Sequence, residues 1–219
     1  MIVKFPVASL RRALLALALG ACAGVASAAS TYHVELDTSS FASTGWIDLQ
    51  FNPGDPSSPL AQASLTGFTG FGDPASAQVT GNVGGSLAGG YTFVNNDAGG
   101  LNELFHAVDF GGKIGFDVTF SGAAAPGAGF GSAFSVALYN QAQTALLGTS
   151  DPSGTLVLLN WTPAGSVVPT LLSNTIGTSV GAVSAVPEPG TWLMLGAGLA
   201  LMGGMARRRA AGGGVAGTA

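Results

Sequence analysis

Lys113-Ile114-Gly115-Phe116-Asp117-Val118-Thr119-Phe120 decides the fold class. Ile114, Phe116, Val118 and Phe120 share one parity, and Lys113, Gly115, Asp117 and Thr119 share the other. Side chains of an extended strand point alternately to opposite faces, so this octapeptide predicts a strand with one buried and one solvated face. The same period of two recurs along the chain. Phe134, Val136 and Leu138 align within Ala133 to Asn140, as do Ile47, Leu49 and Phe51 within Trp46 to Phe51. In Tyr32 to Asp37, Tyr32, Val34 and Leu36 oppose His33, Glu35 and Asp37. Leu156 to Trp161 is apolar at both parities, as a central strand would be. Weaker strands are expected near Gln62 to Phe68, Ala77 to Val83, Tyr91 to Val94 and Leu104 to Phe110.

Turn signals separate these runs: Asn52-Pro53-Gly54-Asp55-Pro56, Gly72-Asp73-Pro74, Asn95-Asn96-Asp97, Gly111-Gly112 and Asp151-Pro152-Ser153-Gly154. Eight or nine short strands with such punctuation predict an all-β fold, an antiparallel, jelly-roll-like β-sandwich of two sheets with solvated outer faces. This domain is expected over residues 29–161. A last strand near Leu171 to Ile176 and a flexible stalk are expected over 162–186. Glycine is abundant, but the apolar periodicity excludes disorder. No internal repeat is visible.

Both ends read as targeting segments. Lys4, Arg11 and Arg12 precede a short apolar run, Ala13 to Ala21, and Ala26-Ser27-Ala28 forms an A-x-A cleavage signature. Residues 1–28 are thus expected to be a signal peptide, cut after Ala28 by signal peptidase once the secretory translocon has engaged it. Leu19-Gly20-Ala21-Cys22 offers the alternative of a lipobox with Cys22 as the lipidated residue. Either route means export, and cleavage removes the chain's one cysteine, leaving a mature domain without disulfides.

At the other end Pro187-Glu188-Pro189 precedes an uncharged stretch, residues 191–206, and then Arg207, Arg208 and Arg209. As a helix rising ~1.5 Å per residue the stretch covers roughly 24 Å. Local thinning or help from Gly190 and Trp192 would fit it to a core of ~30 Å. The arginines keep their end cytoplasmic, followed by a tail over 210–219, and place the two prolines outside as an extended strip. Gly196, Ala200 and Gly204 recur every fourth residue, either as a helix-packing face or because glycine is common in spans.

This order of Pro-Glu-Pro, greasy segment and basic stop, over 187–209, resembles the PEP-CTERM sorting signal of exported bacterial proteins. The resemblance implies recognition by an exosortase, a membrane-embedded cysteine-protease-like transpeptidase. It also implies passage through the inner membrane to the cell surface or an exopolysaccharide matrix. The body resembles one group of PEP-CTERM proteins. It does so through Tyr32-His33-Val34-Glu35-Leu36-Asp37-Thr38-Ser39, Asp48-Leu49-Gln50-Phe51-Asn52-Pro53-Gly54, Gly115-Phe116-Asp117-Val118-Thr119-Phe120, Phe134-Ser135-Val136-Ala137-Leu138-Tyr139 and Asp151-Pro152-Ser153-Gly154. That likeness implies a shared fold and export, and no particular chemistry.

With the targeting ends removed, Lys113 is the only cation of the body and ten carboxylates remain, a net charge near −9. Such a domain repels a phosphate backbone, which excludes nucleic acid as a partner. Candidate chemistry is sparse. His33 lies on a polar strand face and His106 on the apolar face of Leu104, Val108 and Phe110, and no Gly-x-Ser-x-Gly elbow accompanies them. Glu35, Asp37 and Asp48 on neighbouring polar faces could form a glycosidase pair, with Glu103 and Asp109 as further carboxylates, or merely a solvated acidic surface. Calcium could take oxygens from Asn95-Asn96-Asp97 or Asp151-Pro152, which turn chemistry explains as well. Zinc lacks ligands. Trp46, with Asp48 and Gln50, is the candidate glycan platform, and Tyr91 and Tyr139 could join it. Asn160-Trp161-Thr162 matches a glycosylation sequon, discounted inside a strand. The expectation is a non-enzymatic envelope or matrix protein, partnered with exosortase and exopolysaccharide, against a carbohydrate-binding module or a cryptic glycosidase.

Overall fold

The computed structural model describes residues 29–96 and 100–183, together with the single residues Gly198 and Met202. The expected signal peptide, the Cys22 alternative, Asp97, and the Pro-Glu-Pro and arginine segments lie outside the described residues. No helix among the described residues is long and apolar enough to cross a membrane.

Among the described residues thirteen strands follow one another: β1 (Ser30–Asp37), β2 (Thr44–Pro53), β3 (Ala61–Thr69), β4 (Gln78–Thr80), β5 (Val83–Ser86), β6 (Gly90–Val94), β7 (Glu103–Asp109), β8 (Lys113–Gly122), β9 (Ser132–Asn140), β10 (Leu146–Leu147), β11 (Thr155–Trp161), β12 (Val167–Leu171) and β13 (Thr178–Val183). A 3-10 turn, Pro74–Ser76, interrupts them, with Asp73 capping its start through a bond accepted from the Ala75 amide. Six strands form one sheet in the order β13-β1-β8-β3-β6-β5, and six more run β12-β11-β9-β2-β7-β4 in the other, where β10 also pairs with β9. The pairings within both sheets are antiparallel.

The inward parities are those legible in the alternation. Val34, Leu36, Ile114, Phe116, Val118 and Phe120 from one sheet meet Ile47, Leu49, Phe51, Phe134, Val136 and Leu138 from the other, all buried. Phe134 is the hub of this layer. Its ring lies 6.1 Å from each of Phe93, Phe116 and Phe120, at steep interplanar angles. Edge-to-face packing of this kind adds to the burial of rings that already dominate core energetics.

Three differences from the sequence expectation have physical reasons. The expected strand Ala77 to Val83 is two strands, because Gly81 takes a φ of 72° and turns the chain from β4 in one sheet to β5 in the other. The expected last strand at Leu171 to Ile176 is mostly a connection. Strands lie on either side of it, β12 pairing with β11 and β13 with β1, one on the edge of each sheet. Both are largely exposed and so carry no apolar alternation. Leu156 to Trp161 is not central but one place in from the edge, between β9 and β12, with Leu158 half-buried on the outer face. The contact pattern divides the chain after Val183.

Candidate functional site

Strand β2 sends Trp46, Asp48, Gln50 and Asn52 to the outer face of its sheet, opposite in parity to Ile47, Leu49 and Phe51. Register then sets their neighbours. Trp46 stands opposite Ala107 and Tyr139, Asp48 opposite Phe105 and Ala137, and Gln50 opposite Glu103 and Ser135. The Trp46 ring stacks on Phe105, 5.1 Å between centroids and 5° from parallel, and Tyr139 meets Phe105 edge-on at 5.5 Å. Because Phe105 is the direct cross-strand partner of Asp48, this stack closes over the carboxyl. Asp48 is only 6% exposed on a face that its sequence neighbours would leave in water.

The consequence is electrostatic. Burial pushes the Asp48 carboxyl up to about 7, opposed by a hydrogen bond from Gln50 and reinforced by the negative charge of Glu103. Gln50 Nε2 donates to Asp48 Oδ2 at 2.8 Å and reaches Glu103 Oε1 at 3.4 Å. Asp48 Oδ1 is buried with no hydrogen-bond partner among the described residues. Below it the polar chain continues: Asn52 Nδ2 donates to Gln50 Oε1 at 3.2 Å, and the Asn102 amide donates to Asn52 Oδ1 at 2.8 Å. Burial first, then the charges of Asp48 and Glu103, raise the Tyr139 phenol as well. Trp46 remains half-exposed, and its Nε1 donates to the Gln141 carbonyl oxygen at 3.2 Å.

The candidate platform of Trp46, Asp48 and Gln50 is therefore one cluster, but its two polar members face each other rather than solvent. Tyr139 joins it. Tyr91 does not, because its strand turns it into the core at 3% exposure. Glu103 and Phe105 complete the cluster. Their signal in the sequence was an aromatic residue on the polar parity of Glu103 to Asp109.

The carboxylate grouping expected of Glu35, Asp37 and Asp48 is corrected. β1 and β2 belong to different sheets, and both residues point outward, so Glu35 and Asp48 lie on opposite faces of the sandwich. Glu35 instead accepts from Lys113 Nζ at 2.7 Å, which raises the lysine. His33 Nδ1 pairs with Asp117 Oδ1 at 2.7 Å directly across the ladder. These are exposed cross-strand pairs of the kind that stabilise sheets modestly.

His106 is fully buried against Phe71 at 5.3 Å between ring centroids. Its Nδ1 donates to the Ala107 carbonyl oxygen at 2.7 Å, while Nε2 has no partner among the described residues. Ser76 Oγ lies 3.4 Å from that Nδ1, a proximity the sequence did not signal. The hydroxyl donates to the Asp73 carbonyl oxygen and accepts from the Ala107 amide, so neither atom is free for nucleophilic work.

The oxygen-rich turns are similarly committed. Asn95 is buried. Its Oδ1 accepts from the Ala61 amide, and its Nδ2 donates to the Pro59 carbonyl oxygen and to Ser132 Oγ, linking the two sheets. Asp151 accepts from the Ser153 hydroxyl and amide, which hold its carboxyl below the usual range. Among the described residues no group of three or more His, Cys, Asp and Glu side chains gathers as a metal site would need.

Residues 185–209 match the family model of the PEP-CTERM protein-sorting motif. The match covers Pro187, Glu188, Pro189 and Arg207, Arg208 and Arg209, and the β-rich body precedes it. This motif implies an exported protein sorted and processed by exosortase, consistent with a place at the cell surface. No curated protein and no solved structure matches the chain.

Proposed function

We propose that this chain is a non-enzymatic envelope or extracellular-matrix protein whose β-sandwich is delivered to an exopolysaccharide layer. It is exported through the translocon, shortened by signal peptidase after Ala28, and held in the inner membrane by residues 191–206. Exosortase then cuts near Pro187-Glu188-Pro189. One observation carries this reading. The last strand ends at Val183, and the matched motif begins at residue 185. Every strand among the described residues lies ahead of the cut, so processing there releases the sandwich whole.

A non-enzymatic body is supported by the committed atoms of Ser76 and His106 and by the separation of Glu35 from Asp48. A second reading, a carbohydrate-binding module, is favoured by the Trp46, Phe105 and Tyr139 rings on the outer face, since flat rings suit the C–H faces of sugars. A glycosidase reading rests on carboxylates brought near one another, as Asp48 and Glu103 are through Gln50, and loss of any hydrolysis in Asp48→Asn would reveal it.

The test of the main reading is the intact mass of the protein recovered from the envelope and medium of the producing cell. A species starting at Ala29 and ending near Pro187 is expected. A chain still carrying Arg207 and ending at Ala219 would mean a permanent anchor and overturn exosortase release.

A further inference from the structure

A groove of about 740 Å³ opens at the end of the sandwich where β1 passes to β2 and β9 turns to β10. Phe41, Ser43, Thr44, Phe110, Asn140 and Gln141 form most of its lining. Its volume falls in the range of small-ligand clefts. We infer that this groove, rather than the Trp46 face beside it, is a binding site for a neutral saccharide.

Charge makes the first selection. The body is strongly acidic, yet none of the residues lining the groove is ionisable. Neither an anionic nor a cationic ligand would find a counter-charge there. Polarity makes the second. The hydroxyls of Ser40, Ser43 and Thr44 and the Gln141 carboxamide make no hydrogen bond to other described residues and line the groove as both donors and acceptors. A ligand dense in hydroxyls meets such a set, because each hydroxyl both donates and accepts. The apolar part is a pair of rings. Phe41 and Phe110 pack edge-to-face at 5.3 Å, and both remain partly exposed. Gly45 seats the Phe110 ring: a Cβ at that position would stand 2.2 Å from ring atom Cε2.

The walls are set before any ligand arrives. On one side Phe110 N donates to the Ser43 carbonyl oxygen at 2.9 Å. On the other, Asn140 Oδ1 accepts from the Thr144 amide at 2.8 Å and the Ala145 amide at 3.2 Å, while Trp46 Nε1 holds the Gln141 carbonyl. Among the described residues two that are not glycine take positive φ, Ser43 at 66° and Gln143 at 60°. One stands on the β1–β2 wall and the other in the β9–β10 turn. Such conformations cost free energy and persist where surrounding structure imposes them, often at ligand sites. Preorganised walls reduce the ordering cost of binding.

The choice of a polysaccharide as occupant rests on the matrix reading above; the groove's chemistry selects the neutral class. The test is biolayer interferometry of the full-length chain in detergent. Its probe is exopolysaccharide extracted from the producing cells and divided by anion exchange into neutral and anionic fractions. Retention of the neutral fraction is expected, with affinity lowered about tenfold or more in Gln141→Ala and in Thr44→Val. Ser43→Gly suits the positive φ, so it keeps the fold while losing the hydroxyl, and it should weaken binding too. Glu35→Gln, on the opposite outer face, should bind as the parent does. Equal binding by all variants, retention of the anionic fraction alone, or no retention would each overturn the groove. Any of these in a protein correctly cut near Pro187 would leave the sorting reading standing.

Discussion

Gln50 donates to the Asp48 carboxyl at 2.8 Å beneath a stacked pair of rings, and that bond leaves the second carboxyl oxygen buried without a partner among the described residues. The arrangement tolerates a neutral carboxyl better than a charged one. With burial pushing Asp48 from the ordinary carboxylate range up to about 7, the folded chain keeps a proton that the unfolded chain sheds. Below about pH 4 the group is neutral in both states and costs nothing. Between pH 4 and 7 the unfolded state is progressively favoured, and above pH 7 the loss is complete. A shift of this size corresponds to about 4 kcal/mol. Asp48→Asn keeps an acceptor for Gln50 and removes the titration. Thermal melts of the two proteins should therefore coincide near pH 4 and separate by pH 8, with the variant more stable. Parallel curves across that range would sink the assignment.

Asp48 also marks where sequence reading stops. The inward residues of β1, β2, β8 and β9 were legible because burial on one face writes a period of two into the chain. That pattern says which residues leave the core. It does not say whether they reach water. Asp48 has the outward parity, yet it is covered by Phe105 and Tyr139, which lie more than fifty residues away in the chain and arrive only through the registers of β7 and β9. Which strands share a sheet was equally silent, so Glu35 and Asp48 could be imagined together. β12 and β13 were missed for the opposite reason. Edge strands are held by ladder hydrogen bonds and bury little, so their Thr, Ser, Gly and Val residues read as linker.

Phe134 should be among the most sensitive core positions. It is fully buried and touches three phenylalanine rings of the opposing sheet. Phe134→Ala removes those contacts and leaves a cavity between two sheets that cannot collapse freely. The expected cost is about 3–5 kcal/mol, read as a lowered midpoint in urea. Phe134→Leu should lose less. A shift in the alanine variant no larger than that of an exposed surface change would argue against the observed inter-sheet packing.

Asn95 offers a test of structure against metal binding. Its side chain satisfies the Ala61 amide, the Pro59 carbonyl oxygen and the Ser132 hydroxyl. Asn95→Ala strands these groups and should destabilise by about 2–4 kcal/mol. Because the amide is spent internally, EDTA should leave the melting temperature of the parent unchanged. A fall on chelation that calcium alone restores would instead place a calcium ion among these turns.

Trp46 has two roles that substitutions can separate. Its ring covers Asp48 through the stack on Phe105, and its Nε1 fixes the Gln141 carbonyl at the groove. Trp46→Phe keeps an aromatic ring over the carboxyl and loses the donor. The Gln141 carbonyl can turn to water, so the stability change should stay within about 1 kcal/mol. The slope of stability between pH 4 and 7 should persist, while affinity for the neutral polysaccharide falls severalfold as the β9–β10 wall loosens. Trp46→Ala removes the cover as well. Water then reaches Asp48, its carboxyl returns toward the ordinary range, and the pH slope flattens. If the alanine variant kept the parent's full pH dependence, the ring would not be what shields the carboxyl, and Phe105 and Tyr139 would have to carry that role without it.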